Sequence, residues 1–283
     1  MKIYISSLAV KKHSISEIIE ILALKGVNNI ELTGGTKYSS FDLKKVLELK
    51  SKYNLNFLCH NYFPPPKEDF IINLGSLDNK IFDKSIKHIK SAILLSVKLE
   101  SDKFACHSGF FIDVNLNELG NEISTQKILN KEESIRLFKE AQLYLNSFAK
   151  EKGVKLYFEN NVLSHSNYKN FNRVNPFMFT DNKNIDDVIL KTSNILVDFA
   201  HLKVSCNTLN LNFIENLKDL ANKTDYWHIS DNDGFSDSND LLKDNSEMIK
   251  QLKNLYKANK TITIEVKGGV ENAIISLNSL NEI

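Results

Sequence analysis

The chain has 283 residues, 42% of them hydrophobic and 25% charged, and its 36 basic and 35 acidic side chains leave a net charge of +1. That balance excludes the basic footprint of a nucleic-acid or anionic-membrane binder, and the length suits one α/β domain with a sizeable core. Three scattered cysteines (Cys59, Cys106, Cys206) exclude a disulfide framework. With no run long enough for a leader or a membrane span, the expectation is a reduced, cytoplasmic protein.

Short apolar runs alternate with longer amphipathic segments, the pattern of repeated βα units. Lys2 to Ser6 reads as the first strand. Ser14-Ile15-Ser16-Glu17 is a capping box that opens a helix to about Lys25, with Ile18, Ile19 and Leu22 as its buried stripe and Gly26 as its stop. A second strand, Asn29 to Leu32, precedes a helix from about Phe41 to Tyr53. The third strand leads to His60 and the rigid Pro64-Pro65-Pro66, and a long helix follows from about Asp78 to Lys98. The fourth strand ends at His107, after which Asn130 with Glu133 caps a helix that Gly153 closes. Strands five to eight finish at Glu159, Asp198, His228 and Glu265. Helices near Ile185–Lys191, Phe213–Asn222, Ser246–Ala258 and Val270–Leu280 separate or follow them. Eight strands and eight helices predict a single (β/α)8 TIM barrel over residues 1–283. Two long connections, Phe110 to Asn130 and Asn160 to Asn184, leave the C-terminal face, where long loops shape sites.

Six of these apolar runs stop on a residue type that binds divalent metal: His60, His107, Glu159, Asp198, His228 and Glu265. The residues just before them, Cys59, Cys106, Phe158, Val197, Trp227 and Ile264, suit the barrel–helix interface. Alternation then turns the polar endings into the lumen. Inward carboxylates and imidazoles are costly unless paired or metal-bound, so three acids and three histidines converging there point to a divalent cation. The mixed donors suit Mn, Zn, Mg or Co without choosing among them, and the lack of thiolate endings argues against a structural zinc.

Each histidine taken singly also reads as a hydrogen-bonded structural residue. His60 and His107 read as pocket lining or as ligands of a second ion. Glu31, ending strand two, reads either as reaching the site or as a solvated or ion-paired glutamate. Tyr62 and Phe63 read as an apolar wall for the face of a bound ligand or as loop packing. His13, His88 and His165 read as surface or loop residues. Only Arg136 and Arg173 are arginines, so bidentate phosphate clamps are scarce, and Arg173 is the one placed near the mouth.

The strand endings, together with Asp198-Phe199-Ala200-His201, His107-Ser108-Gly109, Asn73-Leu74-Gly75-Ser76 and His228-Ile229-Ser230-Asp231, resemble the xylose isomerase-like TIM-barrel superfamily. That superfamily holds sugar and sugar-phosphate isomerases and epimerases, and the endonuclease IV group of abasic-site nucleases (AP endonuclease family 2). The resemblance runs from about Lys2 to Glu265. For the epimerase branch it implies one divalent metal held by Glu159, Asp198, His228 and Glu265, with His201 contacting substrate. For the nuclease branch it implies further zinc on His60 and His107.

The chain departs from both patterns. The nuclease branch expects Asp-x-His after strand seven, where this chain has Asp237-Ser238-Asn239. Ketose 3-epimerases carry an arginine in the stretch occupied here by Ile229 to Phe235, and some carry a second glutamate where this chain has Asn160 to His165.

The resulting expectation is a metal-dependent isomerase or epimerase of a sugar or sugar phosphate. It acts by proton abstraction next to a carbonyl and a metal-stabilised enediolate. Glu159 and Glu265 are the catalytic pair, Glu159, Asp198, His228 and Glu265 the metal ligands, and His60, His107 and His201 the substrate-binding residues. The alternatives are a zinc phosphodiesterase of the endonuclease IV type acting on abasic DNA, a dehydratase, and a non-catalytic sugar binder. The partner is a small sugar rather than nucleic acid or membrane, and a homo-oligomer is compatible with this reading.

Overall fold

Strict alternation of side chains along eight short strands divides the interior into two layers. The strands are β1 (Lys2–Ser6), β2 (Asn29–Gly34), β3 (Asn56–Asn61), β4 (Lys103–His107), β5 (Lys155–Glu159), β6 (Asn194–Asp198), β7 (Tyr226–Ile229) and β8 (Thr261–Ile264). In the computed structural model, which describes residues 1–10, 13–37, 39–255 and 258–282, they pair in parallel and in sequence order. β8 closes on β1 through Lys2 opposite Thr261 and Ile5 opposite Ile264. The predicted (β/α)8 barrel is therefore the observed fold.

Cys59, Cys106, Phe158, Val197, Trp227 and Ile264 all lie in the large apolar layer between barrel and helices. Two residues before five of the six polar endings, the lumen is plugged by Leu58, Ala105, Tyr157, Leu196 and Tyr226, joined by Tyr4. Leu58 and Leu196 each contribute roughly 1.5–3 kcal/mol when fully buried. The plug closes the barrel beneath its mouth and leaves the polar layer above it facing one way only.

The helices are α1 (Ile15–Leu24), α2 (Leu43–Tyr53), α3 (Asn79–Lys98), α4 (Lys131–Glu151), α5 (His165–Asn170), α6 (Ile185–Val188), α7 (Phe199–Leu209), α8 (Phe213–Asn222), α9 (Glu247–Lys253) and α10 (Val270–Asn281). The Ser14–Glu17 capping box forms as the sequence predicts, with the Ser14 N–H donating to Glu17 Oε2 at 2.7 Å. Asp78 and Asn130 cap α3 and α4. The helix predicted over Ser246–Ala258 is shorter, ending at Lys253, and its positions Tyr256 and Lys257 lie outside the described residues.

Two helices were not legible in the hydrophobic pattern. α5 sits inside the long Asn160–Asn184 connection, and α7 follows β6 without a break. α7 buries seven of its eleven residues, so it shows little of the one-sided pattern that marks a surface helix. No helix among the described residues is long and apolar enough to cross a membrane.

Candidate metal centre and active site

The Asp198-x-x-His201 motif has a local structural cause. Asp198 is both the last residue of β6 and the N-cap of α7, and its Oδ1 accepts the His201 backbone N–H at 2.7 Å. Its other oxygen, Oδ2, is buried with no hydrogen-bond partner. Asn160 clamps the same residue from the β5 side: its Oδ1 accepts the Asp198 N–H at 2.7 Å, and its Nδ2 donates to the Asp198 carbonyl at 3.0 Å. One carboxylate thus starts a helix with one oxygen and offers the other to the lumen.

The ring of polar strand ends converges. Ligand atoms of Glu159, Asp198, His228 and Glu265 all lie within 4.8 Å of one another, and so do those of His107, Glu159 and His201. His228 Nδ1 stands 3.1 Å from Glu265 Oε2 and 3.4 Å from Glu159 Oε1. His60 Nε2 donates to Glu159 Oε2 at 2.8 Å, and His107 Nδ1 is 3.4 Å from that oxygen. Glu159, Asp198 and His228 are fully buried, and Glu265 is 6% exposed.

A third overlapping group brings in Glu31 with His60, His228 and Glu265. Glu31 is wholly buried, so its solvated reading is wrong: the lumen holds it. The signal was parity, because Leu32 belongs to the helix-side layer and Glu31 must then point inward.

The charges of these groups follow from their crowding. Burial opposes ionisation of Glu159, yet the imidazoles of His60 and His228 hold its carboxyl well below the ordinary range. Burial works against the charged form of His228 too, but Glu31, Glu265 and Glu159 push it well above its usual value. His201 moves the same way beside Asp198 and Asp237, against its own burial. Burial pushes the Asp198 carboxyl up to about 7 despite His201. Burial also drives His107 below its ordinary value, which favours the neutral ring. Packing this many carboxylates together demands positive charge, and Glu159 Oε1 and Asp198 Oδ2 are both buried without a donor. Mixed oxygen and nitrogen ligands with unpartnered lone pairs fit a divalent cation.

Beside the ring opens a cavity of about 340 Å³, which His107 and His201 join to it. Its walls come from the two long connections, through Phe110, Leu119 to Ile123, Asn161, Val162, Ser164, Ser166, Asn167 and Phe177, and from Phe235 to Asp237 after β7. Asn73 positions this wall: its Oδ1 accepts from the Gly75 and Phe110 N–H groups, each at 3.0 Å. The Asn73-Leu74-Gly75-Ser76 and His107-Ser108-Gly109 motifs therefore meet, and a Cβ on Gly109 would sit 3.0 Å from Asn73 Oδ1. No Lys or Arg lines the cavity among the described residues, whereas Glu122 and Asp237 do.

Other sequence readings resolve individually. Tyr62 lines the cavity, while Phe63 packs edge-on against Phe41 in the core. Arg173 is exposed and does not line the cavity. His88 is not a surface residue: it is 8% exposed, bonded to the Asn61 carbonyl and packed against Tyr62 and Phe70. His13 and His165 are exposed. Asp237, weighed in sequence only as part of a nuclease triplet, lies 3.4 Å from His201 Nε2, and the amide of Asn239 is turned to Ser230.

A closed parallel barrel with a carboxylate–imidazole ring at its C-terminal mouth is a TIM barrel whose polar residues gather on the face where such barrels carry chemistry. The family model of the xylose isomerase-like TIM barrel matches residues 19–270, and the chain belongs to that family. No curated protein matches it in sequence. Among solved structures it is similar to a D-tagatose 3-epimerase-like protein at 20% identity and TM-score 0.75, covering all of this chain and 96% of that one. It is also similar to an apo 3-keto-D-glucoside 4-epimerase from E. coli at 15% identity and TM-score 0.66, covering all of this chain and 98% of that one. A Thermus thermophilus protein soaked with zinc chloride matches at 16% identity and TM-score 0.64, over all of this chain and 97% of that one.

Proposed function

We propose that the protein is a divalent-metal-dependent isomerase or epimerase acting on an unphosphorylated sugar. The observation that carries this reading is the convergence of Glu159, Asp198, His228 and Glu265 within 4.8 Å, with two of their carboxylate oxygens buried and unpartnered. The likeness to a D-tagatose 3-epimerase-like protein and to a 3-keto-D-glucoside 4-epimerase supports the same chemistry. Absence of lysine and arginine from the described cavity wall favours an uncharged sugar over its phosphate, since a phosphate dianion would face Glu122 and Asp237 without a counter-charge.

In this reading Glu159, Asp198, His228 and Glu265 hold the ion. A divalent cation bound there polarises the substrate carbonyl and makes the adjacent C–H acidic enough for a carboxylate to remove. Glu159 and Glu265 approach from β5 and from the end of β8. One takes the proton from the carbon next to the carbonyl, and the other returns it from the opposite side, inverting that carbon. Glu159 suits the base role because His60, bonded to it at 2.8 Å, and His228 keep it ionised. His107 and His201 line the cavity and orient substrate hydroxyls, and Asp237 holds His201 from its far nitrogen. His60, buried behind Glu159, steadies that carboxylate rather than touching the sugar.

The test is turnover of free ketoses and their phosphates by metal-loaded protein in deuterated water. Solvent deuterium on the product carbon and a higher kcat/KM for the free sugar support the reading. Turnover without label removes the proton-transfer mechanism, and preference for the phosphate removes the substrate class.

A further inference from the structure

We propose that Glu31 is the positioning residue of the metal centre, holding His228 through Nε2–H so that Nδ1 faces Glu159 and Glu265. The inference rests on the reading of the ring as a metal site, and it concerns a residue on the opposite wall of the barrel, on β2.

The two nitrogens of His228 have different surroundings. Nε2 lies 3.0 Å from Glu31 Oε1 and 3.1 Å from Oε2. Nδ1 lies 3.1 Å from Glu265 Oε2 and 3.4 Å from Glu159 Oε1, on the side of the ring of strand-end carboxylates. A histidine that ligates through one nitrogen donates the other N–H to an acceptor. A carboxylate in that place fixes the tautomer, aims the ring and makes it a stronger donor to the ion. Among the described residues Glu31 is the one carboxylate that approaches Nε2, at 3.0 Å, so the ring has one way to satisfy both nitrogens.

Glu31 itself is seated by residues of the layer beneath. The Tyr226 hydroxyl and the Thr263 hydroxyl both donate to Oε2, the latter at 2.9 Å. Thr263 is the register partner of His228 on β8, and Tyr226 stands two residues before it on β7, so the same two strands carry the histidine and the anchors of its acceptor. With three donors on Oε2, that oxygen has no lone pair free to bind a cation. The other oxygen points along the same imidazole edge and lies 4.0 Å from His60 Nδ1. A fully buried carboxylate is expensive to keep unless its bonds are satisfied. The donors on Oε2 seat Glu31 as a support for His228, while Oε1 stays buried without a hydrogen-bond partner beside the same imidazole edge.

The competing arrangement makes Glu31 a ligand of a second ion with His60, His228 and Glu265, whose ligand atoms also fall within 4.8 Å. Titration of chelator-stripped protein with Co²⁺ and Zn²⁺ separates the two. A positioning role predicts that Glu31→Gln binds the same number of ions as the unaltered protein, about 10–100-fold more weakly, with a shifted Co²⁺ visible spectrum. In zinc-loaded protein, histidine ¹⁵N spectra should show His228 protonated at Nε2 and ligating at Nδ1.

Unchanged affinity and spectrum in Glu31→Gln overturn the proposal, as does loss of one of two bound ions. If Glu31→Gln does not fold, Tyr226→Phe and Thr263→Val carry the test. They keep the carboxylate and loosen its seat, so a smaller loss of affinity in the same direction is expected, and none at all overturns the idea. An unaltered protein that binds no ion removes the metal centre itself, a different failure from that of Glu31.

Discussion

Both ends of this barrel bury charged groups in the lumen, and they treat them in opposite ways. At the floor, where strands begin, Lys103 Nζ donates to the Tyr157 hydroxyl at 2.9 Å and to Asp225 Oδ2 at 3.1 Å, and the Tyr157 hydroxyl donates to Asp225 Oδ1 at 2.7 Å. None of these three residues carries an orphaned buried atom. At the mouth, Glu31, His107, Glu159, Asp198 and Asp237 each bury an unpartnered atom. Leu58, Ala105, Leu196 and the rings of Tyr4, Tyr157 and Tyr226 separate the two. A closed triad is a structural device, whereas a ring short of partners is preorganised for something else to complete it. That division matches the usual split of such barrels, stability below and chemistry above.

The largest effects that could break this contrast belong to the mouth. Glu159→Gln and Glu265→Gln should each lower kcat by roughly 10²–10⁴-fold while far-ultraviolet circular dichroism stays unchanged. Either variant keeping most of its activity would take that carboxylate out of proton transfer. Next comes metal removal: chelation should abolish turnover, and restoring ion at a hundred times its Kd should stabilise the fold by about 2.7 kcal/mol. Calorimetric melting with and without ion reads this as a Tm rise of several degrees. A Tm that ignores every divalent ion would mean that the ring balances its charge without one.

Sequence patterning revealed the barrel and its polar endings for a physical reason: short parallel strands buried on both faces show as apolar runs, and a polar residue closing such a run stands out. Glu31 was ambiguous because β2 continues two residues past Leu32, to Gly34, so the glutamate lies inside the strand rather than at its end. Strand length there is set by close approach: a Cβ on Gly34 would lie 2.3 Å from the Tyr62 carbonyl. α7 was hidden because a helix buried on most sides loses its period. His88 was misread because its partners are the Asn61 carbonyl at the very end of β3 and Tyr62 and Phe70 in the connection after it, whose path no periodicity reports. The Asn160 clamp on Asp198 had no signal at all, since an asparagine after a strand reads equally well as loop.

The smaller predictions sharpen the contrast from below. Lys103→Met removes the ammonium from the floor and leaves Asp225 with the Tyr157 hydroxyl and the more distant Lys155 at 3.8 Å. Asp225 is 40% exposed at its side chain, so solvent takes up part of the loss and the expected destabilisation is about 1–2 kcal/mol. Urea unfolding measures it, and metal affinity and kcat should not move; a change in either would mean that the two ends are coupled through the plug.

Acid should then erase part of this floor contribution in a defined window. Burial raises the Asp225 carboxyl, but Tyr157 and Lys103 outweigh it and the folded value lies below the ordinary one. A depressed carboxylate stabilises the fold above its unfolded pKa, near 3.9. That contribution is lost as the pH falls through the folded value, where both states take up the proton. The stability gap between the unaltered protein and Asp225→Asn, below about 1 kcal/mol because the group is half in water, should be constant from pH 7 to 5 and shrink below pH 4. A gap that instead grew on acidification would mean that the triad holds a protonated Asp225 and that the floor is neutral, which would remove the ion pair on which its difference from the mouth is built.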